Sequence, residues 1–185
     1  MTNDYFFDTD CLSAFLWIND TNILKELYGG KIVFPSPVYD ELSNPAIPHL
    51  KQRADVLIDD QCATIKQLDY GTDEYKLYKT LVEGKGAEKA IGKGEAAGIA
   101  LAKTYNGTLA SNNYKDISPY IDKYKLKHID TGMILEEALE KGLITEADGN
   151  SIWQRMLNKN RMLPTATFTE YLKSKGQDYK ETPYK

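Results

Sequence analysis

"GEAAGIALAKTYNGTLASNNYKDI", residues 94–117, reads as a helix, a turn, a strand and a polar exit. Glu95 opens the helix, and Ile99, Ala100 and Ala102 give it an apolar face of mostly small residues. Asn106-Gly107 closes it, because both residue types accept the left-handed conformation of a helix C-terminus. Thr108 to Ser111 is the strand, and Asn112-Asn113 end it. A helix handing directly to a buried strand is half of a βαβ unit, so the stretch predicts a parallel sheet with helices on both faces.

The segments on either side repeat the alternation. Tyr5-Phe6-Phe7 reads as a buried strand ended by Asp8, followed by a helix through Leu12, Phe15, Leu16 and Ile18. A second helix, Ile23 to Tyr28, stops at Gly29-Gly30. Ile32-Val33-Phe34 is the next strand. Pro35 ends it, Ser36 is read as the N-cap and Pro37 as the first helical residue, which places Glu41 about one turn inside. Asn44-Pro45 ends that helix. A helix from His49 to Asp59, a strand from Ala63 to Leu68 and a helix from Asp73 to Val82 follow, and Leu126 to Ile129 is the fifth strand. The Gly- and Lys-rich stretch "EGKGAEKAIGKGE" is expected to be a mobile connection. Its glycines and Lys93 lack phosphate-loop spacing, Gly94 replaces the hydroxyl residue, and no strand leads into it.

The remainder is helical. Thr131 is read as the cap of a helix ending near Gly142; Thr145 with Asp148 and Thr167 with Glu170 form capping boxes, and Ile152, Trp153, Met156 and Leu157 share one apolar face. The expected organisation is one α/β domain over 1–130, a helical extension over 131–174 packed on it, and a polar, frayed tail over 175–185. A chain of 185 residues supports one well-buried core. Its 42% apolar and 27% charged residues suit a globular domain and argue against disorder. No apolar run approaches a membrane span of about 18 residues, and "MTNDYFF" has no basic leader, so a cytoplasmic protein is expected. Cys11 and Cys62 cannot make a disulfide framework, and His49 and His128 lack partners for zinc.

Asp8, Glu41, Glu95 and the pair Asn113 and Asp116 all fall just past a strand or in the first part of a helix. Ligands of parallel sheets bind outside the carboxyl ends of the strands, so all could rim one crevice. Carboxylates gathered there repel unless a cation sits among them, and oxygen ligands select a hard ion such as Mg2+ or Mn2+. Such ions support phosphodiester chemistry, and the net charge of −4 is compatible with a nuclease because bound cations reverse the local sign. Each acid also has an ordinary reading: Asp8 as a helix cap, Glu41 and Glu95 as surface charges. Asp10 is a supporting group or an additional ligand beside Asp8, or equally a cap of the first helix, and Ser111 a supporting group behind the strand end. Lys85, Lys89 and Lys93 either meet RNA phosphates or coat a solvated loop.

These residues carry a resemblance. Across about residues 4–130, "FFDTDCL", "VYDEL" and "GEAAGIALAKTYNGTLASNNYKDI" resemble PIN domains, especially the VapC-like toxin ribonucleases of bacterial type II toxin–antitoxin modules. The last block matches an acid opening a helix, a glycine before a strand and a polar tail. The resemblance implies a three-layer sandwich with a parallel sheet of four to five strands, a nuclease domain over 1–130, and Mg2+- or Mn2+-dependent cleavage of single-stranded RNA. It implies Asp8, Glu41 and Glu95 as catalytic ligands, Asn113 at a fourth ligand position, and Asp116 as ligand or water-orienting group. Asn113 departs from the acid often found there; its carbonyl oxygen can bind a metal but brings no charge, implying weaker hold on a second ion. An antitoxin partner and a homodimer are further expectations. Two rivals stand beside this reading: a non-catalytic PIN-like module binding RNA or protein, and a haloacid-dehalogenase-like phosphatase with Asp8 as nucleophile and Asp10 as acid–base. The latter pattern requires a late acidic pair, for which "SNNYKD" is a poor substitute.

Overall fold

The computed structural model describes residues 3–84 and 89–178, the last three without their side chains. Lys85 and residues 179–185 of the expected tail lie outside them. Strands β1 (Tyr5–Phe7), β2 (Ile32–Pro35), β3 (Ala63–Lys66), β4 (Thr108–Ala110) and β5 (Lys127–Ile129) form one sheet in the order β3-β2-β1-β4-β5. Every pairing is parallel. Successive side chains of a strand point to opposite faces. Phe7, Ile32, Phe34 and Ala110 therefore enter one core, while Phe6, Val33 and Leu109 enter the other. Along the inner strands β1 and β2 both faces are buried, which explains why those two read as continuous apolar runs without a polar alternate.

The first core is covered by α1 (Thr9–Trp17), α2 (Asn22–Tyr28), α3 (Ser36–Leu42) and α4 (Pro48–Asp59). The second is covered by α5 (Asp73–Glu83), α6 (Lys93–Tyr105) and α7 (Tyr114–Tyr124). The result is an α/β three-layer sandwich, as expected. Helix α6 lies close to its neighbours because most of its buried residues, Ile99 and Leu101 apart, are glycine or alanine. A Cβ added to Gly98 would stand 2.8 Å from Leu109 Cδ1, and one added to Gly94 would stand 2.8 Å from Thr9 Oγ1.

The C-terminal segment adds α8 (Thr131–Glu140), α9 (Glu146–Asn158) and α10 (Phe168–Asp178) to the first face. Ile134, Leu135, Trp153, Met156 and Phe168 belong to the same core as Phe7 and Leu12. Trp153 Nε1 donates to Thr165 O at 2.9 Å, and Arg155 reaches Ile18 O at 2.6 Å, tying α9 to the end of α1. Glycines again permit the contact: Gly132 lies under the Tyr171 ring and Gly149 under Phe168, each leaving only 2.4 Å for an added Cβ.

Several local expectations are corrected. Pro35, not Ser36, precedes α3, and Ser36 is its first residue. Asp130, not Thr131, caps α8, its Oδ1 accepting the Met133 N–H at 2.8 Å. The third strand ends at Lys66, before Leu68. Helix α7 was not expected at all; Pro119 and the polar start obscure it, although Ile117, Tyr120, Ile121 and Tyr124 have helical spacing. Helix α10 continues to Asp178, past the expected start of the tail at 175. Among the described residues no helix is long and apolar enough to cross a membrane.

Gly132→Ala must displace the Tyr171 ring. Overpacking of this kind costs about 1–3 kcal/mol, so calorimetry should show a single transition lowered by roughly 2–10 °C. An unchanged Tm would mean that α8 and α10 do not pack as described.

Candidate active site

Strand order reverses between β1 and β4, and it is outside this switch point that an open parallel sheet leaves a crevice. Asp8 leaves β1 there, its N–H bonded to Ala110 O of β4 at 2.9 Å. A cleft of about 310 Å³ follows, lined by Asp8, Thr9, Asp10, Glu41, Gly92, Gly94 and Glu95. Asp8 and Glu41, 33 positions apart in sequence, and Glu95, 54 further on, thus meet at one cavity.

Asp8 is 1% exposed. Its Oδ1 caps α1 by accepting the Cys11 N–H at 2.7 Å. Its Oδ2 is buried and makes no hydrogen bond. Burial pushes its carboxyl up to about 7; the nearby Ser111 hydroxyl, which falls short of a hydrogen bond to Oδ2, and the Cys11 N–H pull it partly back, while Asp10 and Glu95 push it further up. The capping reading of Asp8 therefore accounts for one oxygen and leaves the other unexplained.

The remaining carboxylates each have a protein donor. Glu41 accepts from the Thr9 hydroxyl. Glu95, the third residue of α6, accepts the Gly92 N–H at 3.1 Å through Oε2 and the Asn113 amide at 2.6 Å through Oε1. Asn113 also donates to Asp116 Oδ2 at 2.9 Å. Asp116 Oδ1 pairs with Lys89 at 2.9 Å, and the lysine, with the Asn113 amide, holds its carboxyl below the usual range. Asp10 lines the cleft but is 56% exposed, with Arg161 at 3.8 Å. Ser111 is fully buried at the end of β4, and Lys93 is exposed at the start of α6.

Among the described residues no three His, Cys, Asp or Glu side chains converge into a ready metal cluster. Asp8, Glu41 and Glu95 share a cleft but are not caged together, and Glu41 and Glu95 are each turned toward a protein donor. Asn113 is placed as a clamp whose NH2 group bridges Glu95 and Asp116, not as a ligand presenting its carbonyl; the two carboxylates fix that orientation. The donor set nevertheless suits a hard divalent cation. All its groups are oxygens, and Asp8 Oδ2 is an unpaired acceptor at the cleft wall. Cys11 offers no rival nucleophile, since burial drives its thiol well up.

Sequence reasoning missed Thr9 and Gly94. Thr9 sits between two acids in "FDTD", a weak signal for a hydroxyl that orients a third. Gly94 precedes the helix acid, and a Cβ there would meet Thr9 Oγ1 at 2.8 Å and Glu41 Oε2 at 3.5 Å. Only a glycine lets α6 approach both.

Residues 4–177 match the family described as DUF3368: PIN domain. No curated protein matches the chain.

The raised carboxyl of Asp8 gives a sign for stability. Below about pH 4 the group is protonated in both folded and unfolded chains and contributes nothing. As pH rises toward 7 the unfolded chain loses its proton first, so stability falls, and above about pH 7 a penalty of up to roughly 4 kcal/mol persists. In chelator, Asp8→Asn should therefore gain Tm relative to wild type from pH 4 to about 7 and level off above it. Parallel Tm profiles for the two proteins would contradict the buried, unpaired carboxylate.

Proposed function

The chain belongs to the PIN-domain family, whose members are in general nucleases that use divalent metals, and from that premise we infer that it is a Mg2+- or Mn2+-dependent endoribonuclease acting on single-stranded RNA, of the toxin type. The observation that carries the reading is Asp8 Oδ2, a buried acceptor without a partner at the wall of a cleft that also holds Glu41 and Glu95.

Asp8, Glu41 and Glu95 would hold the ion, with Asp116 at the edge of the site. When bound, the ion supplies positive charge to the phosphate oxygens and acidifies the attacking water. Thr9 fixes the orientation of Glu41, and Asn113 fixes Glu95 and Asp116 together. Groups one step behind metal ligands usually matter by about 10–100-fold. Asp116, exposed enough to meet solvent, orients the water. Burial of Asp8 keeps bulk water from competing for its free oxygen. Lys93 and Lys89, both exposed, stand where RNA phosphates would enter; Lys85 belongs to the same proposal. A toxin-type nuclease would work in the cytoplasm, as a monomer or homodimer, until a small antitoxin protein fills the cleft.

The second reading, a non-catalytic module binding RNA or protein, draws on one observation: Lys89 already neutralises Asp116, and Asn113 adds no charge.

Labelled single-stranded RNA with Mn2+ separates the two. Wild type should hydrolyse it, and Glu95→Gln should be slower by roughly 100-fold or more. Mn2+ should also raise the Tm of wild type and leave that of Asp8→Asn unmoved. Equal hydrolysis by wild type and Glu95→Gln would remove the assigned site. Binding of RNA without hydrolysis, and without a Tm response to Mn2+, would favour the module. Lys93→Ala should reduce the salt dependence of RNA affinity by about one unit of slope if this lysine meets a phosphate.

A further inference from the structure

A second cavity, of about 280 Å³, opens beyond the ends of β4 and β5. Its floor is Asn112, which follows β4, and Asp130, which follows β5; its walls are Tyr114 from α7 and Met162, Leu163 and Pro164 from the segment between α9 and α10. Nothing in the reading above uses it. Asn112 and Asn113 are consecutive, yet Asn113 turns to Glu95 while Asn112 turns to the Thr131 amide. Neighbouring Cα atoms lie about 3.8 Å apart, so the cavity stands one residue from Asn113, whose amide holds Glu95 of the catalytic cleft.

Two features of the cavity are those of a base site. Tyr114 is 58% exposed and Met162 85% exposed, leaving an aromatic face and a thioether uncovered at the mouth. Flat aromatic surface beside a phosphate-handling site is what holds unpaired bases, and methionine sulfur packs well on ring edges. The polar floor is specific. Asn112 Oδ1 is occupied by the Thr131 N–H at 2.9 Å, which fixes the amide and turns its NH2 group free as a donor. Asp130 Oδ1 accepts the Met133 N–H at 2.8 Å and the Tyr171 hydroxyl at 3.5 Å, and its Oδ2 carries no hydrogen bond among the described residues. One free carboxylate oxygen and one free amide NH2 thus flank the Thr131 amide. The carboxylate repels phosphate, so the ligand it selects is a base edge rich in N–H donors. Guanine alone among the four bases presents two adjacent donors, N1–H and the 2-amino group, next to an acceptor, O6.

We propose that this cavity is a base-recognition subsite of the RNA substrate, taking an unpaired guanine next to the cleaved phosphodiester, stacked on Tyr114, with Asp130 Oδ2 alone accepting from both N1–H and the 2-amino group and Asn112 donating to O6. The proposal rests on the RNA reading of the adjoining cleft, and it goes beyond that reading by assigning a specificity to this chain.

The test uses the full-length protein and four 5′-labelled single-stranded RNA pentamers that differ only in their central base. Binding is read by fluorescence anisotropy in chelator, where no cleavage occurs. Wild type should bind the G pentamer about 10-fold tighter than the A, C or U pentamers. Asp130→Asn keeps an oxygen to cap α8 but replaces the free acceptor with a donor; its Tm should stay near that of wild type and its preference for G should vanish. Tyr114→Ala, at an exposed position, should weaken all four by about 10-fold. Equal affinity of wild type for the four pentamers, failure to bind any of them, or a preference for G that survives Asp130→Asn would overturn the subsite. Cleavage of the same pentamers with Mn2+ reads the nuclease separately. A preference for G without cleavage would sink the enzyme and keep the subsite, whereas cleavage without preference would do the reverse.

Discussion

The close approach of α6 to the sheet and to α3 governs the rest of this molecule. Six of its eight buried residues are glycine or alanine, so the helix axis sits where larger side chains would hold it off. Gly98 admits Leu109 and the edge of β1, and Gly94 admits Thr9 and Glu41. The first turn of α6 is thereby pressed over the switch point of the sheet, and Glu95 arrives beside Asp8. Interiors packed to near-crystalline density transmit such a constraint with little slack. One methyl group at Gly94 would act on two of the cleft's side chains at once.

Asp8 shows what that placement costs. The fold buries a carboxylate and satisfies only one of its oxygens, while Asp10 and Glu95 add like charge nearby. Unpaired buried acceptors are rare because losing water without a replacement partner is unfavourable. The surrounding side chains answer a related problem differently. Thr9, Gly92 and Lys89 each hold one carboxylate and Asn113 bridges two, restraining negative groups that would otherwise repel at short range. The cleft combines one deliberately unsatisfied group with several carefully restrained ones, which is a pattern of sites where ligand binding completes the hydrogen bonding.

The C-terminal helices do more than lengthen the chain. They share the first core with α1, α2 and α4, and the segment leaving α9 forms one wall of the cavity beyond β5. Arg155 and Arg161 reach back to α1, the latter to within 3.8 Å of Asp10 at the mouth of the cleft. The surroundings of the site are therefore drawn from both ends of the sequence, and the family match across residues 4–177 takes in both.

Much of the architecture was legible in the order of residues. Apolar triplets ended by Asp8 and Pro35, a short strand ended by Asn112, and helices closed by Gly29 and Asn106 are local signals, because turn and cap chemistry acts within a few residues of itself. The parallel sheet and the placement of Asp8, Glu41 and Glu95 near strand ends followed from that alternation. Helix α7 escaped because Pro119 argues locally against what its packing against α6 supports. The roles of Thr9 and Asn113 and the lone oxygen of Asp8 could not be read at all. Each depends on which donor stands within about 3 Å of an acceptor, and that is set by elements remote in sequence. Local chemistry thus named the elements and the acids; only the packing of α6, α7 and the C-terminal segment on the sheet decided which acids are paired, which oxygen is left alone and where a second cavity opens.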